Sequence, residues 1–134
     1  MSVNVSFFGN MPDGKEVRLF TVKNSNGIIL QVITLGATLQ ALYTPDKYGR
    51  VNDITVGFDS LYGHLNFTDY QGKTVGRYAN RIANGSFVMN GKKVQLTRNE
   101  KGRTCLHSAG EFSDAVWDAE AIGCLLYTSP SPRD

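Results

Sequence analysis

Cysteine is scarce: the 134 residues hold two, Cys105 and Cys124. Two thiols make neither a disulfide framework nor a metal-ligand cluster, so a reduced, cytoplasmic setting is expected. No apolar run approaches the roughly 20 residues of a membrane-spanning helix. The opening Met1-Ser2-Val3-Asn4-Val5 has no basic start and no long apolar core, so no signal peptide is expected. Neither sign of charge dominates. The net charge is +2 and the charged residues are scattered, whereas a nucleic-acid or anionic-membrane surface requires a basic stripe. Phosphate-loop patterns are missing, with no Gly-x-Gly-x-x-Gly and no Gly-Lys-Ser/Thr. Long amphipathic helices are missing too. What remains is one domain or part of one, with 41% apolar residues, enough to build a core.

What is there reads as strands. Asn4 to Phe8 is a short strand, and Met11-Pro12-Asp13-Gly14 is a turn. In Lys15 to Lys23, Val17 and Leu19 share one face while Arg18, Phe20 and Val22 share the other. Asn24-Ser25-Asn26-Gly27 turns the chain into Ile28-Ile29-Leu30-Gln31-Val32-Ile33-Thr34. Both faces of that segment are apolar, which places it inside a sheet covered on both sides. Gly36 breaks it, and Ala37 to Tyr43 alternates again. Asp53 to Phe58 is expected to be a strand with Ile54, Val56 and Phe58 facing in. Asp59 to His64 has room for one helical turn, and Leu65 to Val75 reads as loop. Ser86 to Arg98 is split by Asn90-Gly91, the strongest short hairpin signal, because both turn residues need positive φ. A two-residue turn there pairs Phe87 with Val94. Val116 to Ala121 is a last strand. About eight short strands with turns between them predict an all-β, antiparallel β-sandwich or barrel.

The tail, Cys124 to Asp134, continues none of this patterning. Residue for residue it is similar to the in-frame translation of a transposase-type sequencing adapter. The expected division is therefore 1–123 as domain sequence and 124–134 as an adapter-encoded tail.

Chemistry concentrates in Gly76-Arg77-Tyr78-Ala79-Asn80-Arg81-Ile82-Ala83-Asn84-Gly85. This stretch is dense in hydrogen-bonding groups and too irregular for a plain strand or helix. After the hairpin comes a second polar spot, Leu106-His107-Ser108, and a hairpin between two such spots can fold both onto one cleft. Arg81 offers five fixed donors and a permanent charge, and Asn80 offers a donor and an acceptor. Together they suit a ligand dense in hydroxyls or bearing a carboxylate. The structural alternative pairs Arg81 with a carboxylate such as Asp53 or Asp69. His107 can donate, accept or titrate near neutrality, or serve as a hydrogen-bonded structural residue. No residue pairs with it by sequence as nucleophile and base. Gly76 and Gly85 admit close approach to a ligand or plain turn geometry. His64, in a polar loop, is assigned no role.

The chain resembles the N-terminal part of the aldose 1-epimerase (galactose mutarotase) family. The resemblance rests on Phe8-Gly9, Gly36-Ala37-Thr38-Leu39, Pro45-Asp46 with Gly49, Asp53 to Ser60, and above all Gly76 to Phe87. Leu106-His107 and Trp117-Asp118 follow at the expected distances, and the match runs from Val5 to Ile122. Departures are Gln71-Gly72-Lys73, where the family has an aromatic, Gly and Ala, and Ser108, where it has glycine after the histidine. The resemblance implies a large antiparallel β-sandwich, incomplete in this chain. It implies interconversion of the α and β anomers of aldohexoses such as galactose and glucose, by acid–base ring opening and closing, with no metal or cofactor. The family's acid and base, a later histidine and a much later glutamate, lie outside this sequence, so no catalytic residue is expected in the chain. Asn80, Arg81 and His107 are the implied substrate-binding residues. The expected partner is a small aldohexose, with no nucleic acid and no membrane. Alternatives are a non-catalytic carbohydrate-binding β-sandwich and a relative acting on hexose 6-phosphates, which would want extra basic residues; Lys73 is the one candidate. A partial sandwich leaves strand edges and an apolar face in water, so poor stability and no activity alone are expected.

Overall fold

The computed structural model describes residues 2–67 and 69–122, and the backbone of 125–129. Five strands form one antiparallel meander: β1 (Ser2–Asn10), β2 (Glu16–Lys23), β3 (Ile29–Ile33), β4 (Thr38–Pro45) and β5 (Val51–Asp53). The turns between them are built by side chains that take up backbone N–H groups. The Oδ1 of Asn24 accepts from Asn26 and Ile28, each at 2.9 Å, and the Oδ1 of Asp46 accepts from Tyr48 and Arg50 at 2.8 and 2.9 Å. In β2, Val17 and Leu19 face the same cluster as expected, while burial extends to the other face. Val17, Phe20 and Val22 are buried, and Leu19 and Arg18 are half-buried.

A short helix, α1 (Leu61–Asn66), follows the meander. Its Leu61 joins Val17, Ile33 and Leu35 in the core, with Phe8, Met11, Leu19 and Val116 packed around them. Among the described residues three two-stranded ribbons follow: β6 (Arg81–Ile82) with β9 (Cys105–Leu106), β7 (Ser86–Met89) with β8 (Lys92–Gln95), and β10 (Asp118–Ile122) with β11 (Leu125–Ser129). The class is all-β and antiparallel, as expected. The β7–β8 hairpin has the predicted register, Phe87 opposite Val94. Its turn residues Asn90 and Gly91 both have positive φ, 51° and 75°.

Two expectations are corrected. The strand over Asp53 to Phe58 stops at Asp53, leaving Ile54 and Val56 62% and 77% exposed. The cause is Asp53 itself. Its Oδ1 accepts from the backbone N–H of Leu42 at 3.1 Å and of Thr55 at 2.9 Å, so beyond one last bond from the Ile54 N–H to the Leu42 carbonyl a side chain takes the place of the ladder. Those bonds also hold the Asp53 carboxyl below its usual range, the Thr55 N–H contributing most. The second correction concerns β3. It is the central strand of the sheet, but Ile29 to Val32 are half-buried, and only the Ile33-Thr34 end is fully covered. Covering comes where α1 and the later chain pack down. There Leu35 bridges Val116, and the Trp117 N–H donates to the Thr34 carbonyl at 2.8 Å.

The boundary expected at Gly123–Cys124, and the stretch 130–134, lie outside the described residues. The backbone of Leu125–Ser129 pairs with β10, Asp118 opposite Ser129.

Candidate functional site

The hairpin brings the two polar spots together. β6 and β9 pair Arg81 with Leu106 and Ile82 with Cys105. One step further out, Asn80 and His107 clasp each other. The His107 N–H donates to the Asn80 carbonyl at 3.0 Å, and the Asn80 N–H donates to His107 Nδ1 at 3.0 Å. Both residues are left-handed, with φ of 69° and 50°, and Ser108 and Ala109 continue the left-handed turn. Backbone held in this region costs on the order of 1–3 kcal/mol per residue and persists where surrounding bonds over-determine it. Here the bonds are visible. The Tyr78 N–H donates to Ser108 Oγ at 2.9 Å, and that hydroxyl donates back to the Tyr78 carbonyl at 3.2 Å. The Asn99 amide brackets Leu106, accepting from its N–H at 2.8 Å and donating to its carbonyl at 3.0 Å.

Arg81 is oriented by Glu100, and neither Asp53 nor Asp69 takes that part. Its Nε donates to Glu100 Oε2 at 2.7 Å and its Nη2 to Oε1 at 2.6 Å, a two-pronged pair. Nη1 donates to Asn80 Oδ1 at 3.1 Å. Among the described residues three of the five guanidinium N–H groups are thus engaged, which leaves two for a ligand. Thr104 Oγ1 donates to the same carboxylate at 2.6 Å. The hydrogen bond from Arg81, then that from Thr104, hold the Glu100 carboxyl down at about 2. Reciprocally, Glu100 raises the Arg81 pKa. Because an N–H occupies Nδ1 of His107, the ring proton of this histidine sits on Nε2, which is then a donor. The cluster therefore presents donors from Arg81 and His107 beside the amide of Asn80, with half of the Arg81 side chain open to water.

Residues to which sequence reasoning assigned no part in the site are Glu100, Asn99 and Tyr70, and Ser108, although in the second polar spot, was given no partner. Tyr70 packs its ring on His107, centroid to centroid 4.5 Å. Glu100 had a usable signal, since it is the one acid in the loop Asn99-Glu100-Lys101-Gly102-Arg103 that returns the chain to His107. Tyr70 had none. The glycines divide. Gly85 is a turn residue at φ 56°, whereas at Gly76 a Cβ would sit 2.6 Å from the Phe112 ring, so close packing of the chain on itself demands glycine. His64 is buried inside α1, and no polar loop holds it.

Three ion pairs tie the segment 73–81 to the segment 100–114: Lys73–Asp114 at 3.4 Å, Arg77–Glu111 at 3.0 Å and Arg81–Glu100 at 2.6 Å. Each cation on the first segment therefore meets a carboxylate on the second. Among the described residues no three His, Cys, Asp or Glu side chains converge as a metal-ligand group, and no helix is long and apolar enough to cross a membrane.

Comparison with known proteins points one way. The profile of the family described as Aldose 1-epimerase matches residues 18–129. Galactose mutarotase of Bos taurus is 38% identical over 124 residues, covering 91% of this chain and 36% of that protein. Aldose 1-epimerase of Haemophilus influenzae is 33% identical over 114 residues, covering 85% of this chain and 33% of that one. The crystal structure of galactose 1-epimerase from Lactobacillus acidophilus superposes with a TM-score of 0.74 at 24% identity, over 89% of this chain and 34% of that one. The chain thus spans about a third of the length of the curated relatives it matches.

Proposed function

The chain belongs to the aldose 1-epimerase family, and from that premise we propose that it carries the sugar-holding part of an enzyme interconverting the α and β anomers of aldohexoses. The observation that supports this most is the Asn80–Arg81–His107 cluster. A guanidinium braced by Glu100, with N–H groups left over, lies beside an amide and beside an imidazole whose free nitrogen is a donor. Such a set binds hydroxyl oxygens. Ring opening also needs an acid and a base on opposite sides of the sugar. We assign neither to this chain, so it binds an aldohexose without turning it over. The setting we propose is cytoplasmic, and the chemistry uses no cofactor.

Titration of the chain with D-galactose tests the binding part. Arg81→Ala removes charged hydrogen bonds worth about 1.5–3 kcal/mol, so affinity is expected to fall roughly ten- to a hundred-fold. Unchanged affinity overturns the assignment. Polarimetry tests the second part. Anomer interconversion above the spontaneous rate, abolished by Arg81→Ala, overturns the inactivity of the chain.

A hexose 6-phosphate is the weaker substrate class. Lys73, Arg77 and Arg81 each face a carboxylate, so the cluster has no surplus positive charge to receive a phosphate. A non-catalytic sugar-binding role is distinguished by binding without turnover in a chain of the relatives' full length. The division at Gly123 stands as a further proposal, with 124–134 adapter-encoded although β11 lies within it. Sequence of the unfragmented source gene that diverges after Gly123 supports it, and the same codons there overturn it.

A further inference from the structure

Asn-Gly occurs three times, as Asn26-Gly27, Asn84-Gly85 and Asn90-Gly91. The dipeptide is open to attack by its own backbone, because glycine has no side chain to shield its amide nitrogen or to limit its rotation. We propose that Asn90, at the tip of the β7–β8 hairpin, is a site of spontaneous deamidation to aspartate and isoaspartate, and that the fold shields Asn26 in part and Asn84 strongly. The three dipeptides are identical, so the structure around each one separates them.

The chemistry needs only the chain and water. The Gly91 nitrogen attacks Asn90 Cγ and gives up its proton. The Cγ–Nδ2 bond breaks, and ammonia leaves with that proton. Water then opens the five-membered imide. Opening at Cγ gives aspartate. Opening at the backbone carbonyl carbon gives isoaspartate, in which the main chain runs through Cβ and Cγ. The nitrogen reaches Cγ only if the peptide plane between the two residues turns about the Asn Cα–C bond. That turn swings the Asn carbonyl and the Gly N–H, so whatever holds those groups slows the reaction.

At Asn90 little resists the turn. Asn90 and Gly91 are both exposed, and a Cβ at Gly91 would meet nothing within 4 Å. Among the described residues no backbone hydrogen bond holds the Asn90 carbonyl or the Gly91 N–H. At Asn84 the same plane is clamped. Its carbonyl accepts from Arg98 Nε at 2.9 Å. Gly85 is buried, and its own carbonyl accepts from the Leu96 N–H at 2.7 Å and from Gln95 Nε2 at 2.9 Å. Turning the plane breaks the Arg98 bond and strains those on Gly85. Asn26 is intermediate. A Cβ at Gly27 would meet nothing within 4 Å, but Asn24 Oδ1 accepts from N–H groups on both sides of the plane, those of Asn26 and Ile28, each at 2.9 Å.

The two products differ in effect. Isoaspartate lengthens a two-residue turn, and the register of Phe87 opposite Val94 depends on that length. The ribbon should then loosen from its tip. Asp-Gly suits the same turn as Asn-Gly, so the aspartate product should leave the register alone.

The test ages the whole 134-residue chain in mildly alkaline buffer, with and without urea, and digests it with trypsin. Ile82 to Lys92 is one tryptic peptide, so fragmentation mass spectra compare Asn84 and Asn90 in the same molecule. Labelling by an isoaspartate methyltransferase marks the rearranged product. In buffer the order should be Asn90, Asn26, Asn84, with Asn84 roughly ten-fold or more behind Asn90, the factor carried by a charged hydrogen bond. In urea the three rates should converge. Arg98→Met should speed Asn84 and leave Asn90 unchanged. Equal rates in buffer, or Asn84 reacting first, overturn the proposal. So does a rate at Asn90 far below its rate in urea, or an Arg98→Met chain in which Asn84 is no faster. Sugar binding enters none of these readouts, so this inference and the one at Arg81 fail separately.

Discussion

In the β1–β5 meander, Val17, Phe20 and Ile33 are at most 1% exposed, and Val17 and Ile33 pack with Leu35 and Leu61. In the segment from Asp69 to Asp114 the contacts are of another kind. Lys73, Arg77 and Arg81 pair with carboxylates, Tyr78 with Ser108, Asn80 with His107 and Asn99 with Leu106. The first region resists water by excluding it. The second lies largely open to water and is shaped by directional bonds, several of which hold left-handed backbone. Stability should therefore reside in the meander and site geometry in the segment, and the two should answer differently to truncation, salt and pH.

The largest effect expected is on the meander. Ile33→Ala empties a fully buried position of the central strand, and such truncations cost about 2–5 kcal/mol. Urea unfolding should show this loss, equal at low and high salt, because apolar burial is not screened. A strong salt dependence would break the comparison. Next comes the seam between the regions. Gly36 has φ 63°, and a Cβ there would sit 2.5 Å from the Ser113 carbonyl oxygen. Its N–H donates to Ala115 at 2.7 Å, and its carbonyl accepts from Thr74 at 2.9 Å. Gly36→Ala is expected to cost about 1–3 kcal/mol and to speed hydrogen exchange in both regions. Exchange that rises on one side only would show that they are not joined there.

pH sharpens the contrast through His64 and Glu100, with Asp53 of β5 adding to the acid side because its carboxyl is also held below the usual range. His64 lies against the core, and its folded pKa is below the ordinary 6.5. The unfolded chain then binds a proton that the folded chain refuses, so stability falls as pH drops below about 6.5. Glu100 lies in the polar segment, with a carboxyl at about 2 against the ordinary 4.5. Its contribution is present above 4.5 and is lost as pH falls from there toward 2. Stability measured against pH should show two windows. His64→Phe should flatten the upper one, and Glu100→Gln should shrink the lower, part of which Asp53 keeps. A single window removed by one substitution would mean that the regions open together.

Much of this architecture was legible in the sequence, and the illegible part has a common cause. Alternation gave the faces of β2, and Asn90-Gly91 gave the β7–β8 register. The density of Gly76 to Gly85, with Leu106-His107 after the hairpin, marked where the chain folds back on itself. All of these are local signals, or local signals repeated. The exposure of Ile54 and Val56 depended on Asp53 reaching Leu42, eleven residues back. The partner of Arg81 depended on which of several acids the returning loop carries past it. His64 is polar by type and sits in a polar stretch, yet Phe58 and Phe8 close on its ring at 5.3 and 6.3 Å between centroids. Contacts chosen by tertiary approach leave little trace in residue order.

The smallest effect expected is at Arg77, and it is the most exacting check on the comparison. Its side chain is 78% exposed and that of Glu111 45%, so their 3.0 Å contact lies in water. Exposed pairs contribute about 0.2–1 kcal/mol. The Arg77 guanidinium also lies 5.7 Å from the Phe112 ring centroid, a contact of roughly 0.5–1 kcal/mol at exposed sites. Arg77→Ala removes both and should therefore cost at most about 2 kcal/mol, less in high salt, and Glu111→Gln less again. A double-mutant cycle separates the pair from the ring contact, because Glu111→Gln removes the first and leaves the second. Coupling near zero, with galactose affinity unchanged, fits a segment whose ion pairs shape the site without carrying the fold. Coupling well above about 1 kcal/mol would mean that the polar segment stabilises the chain as the meander does, and that its pairs are not merely guides for the backbone.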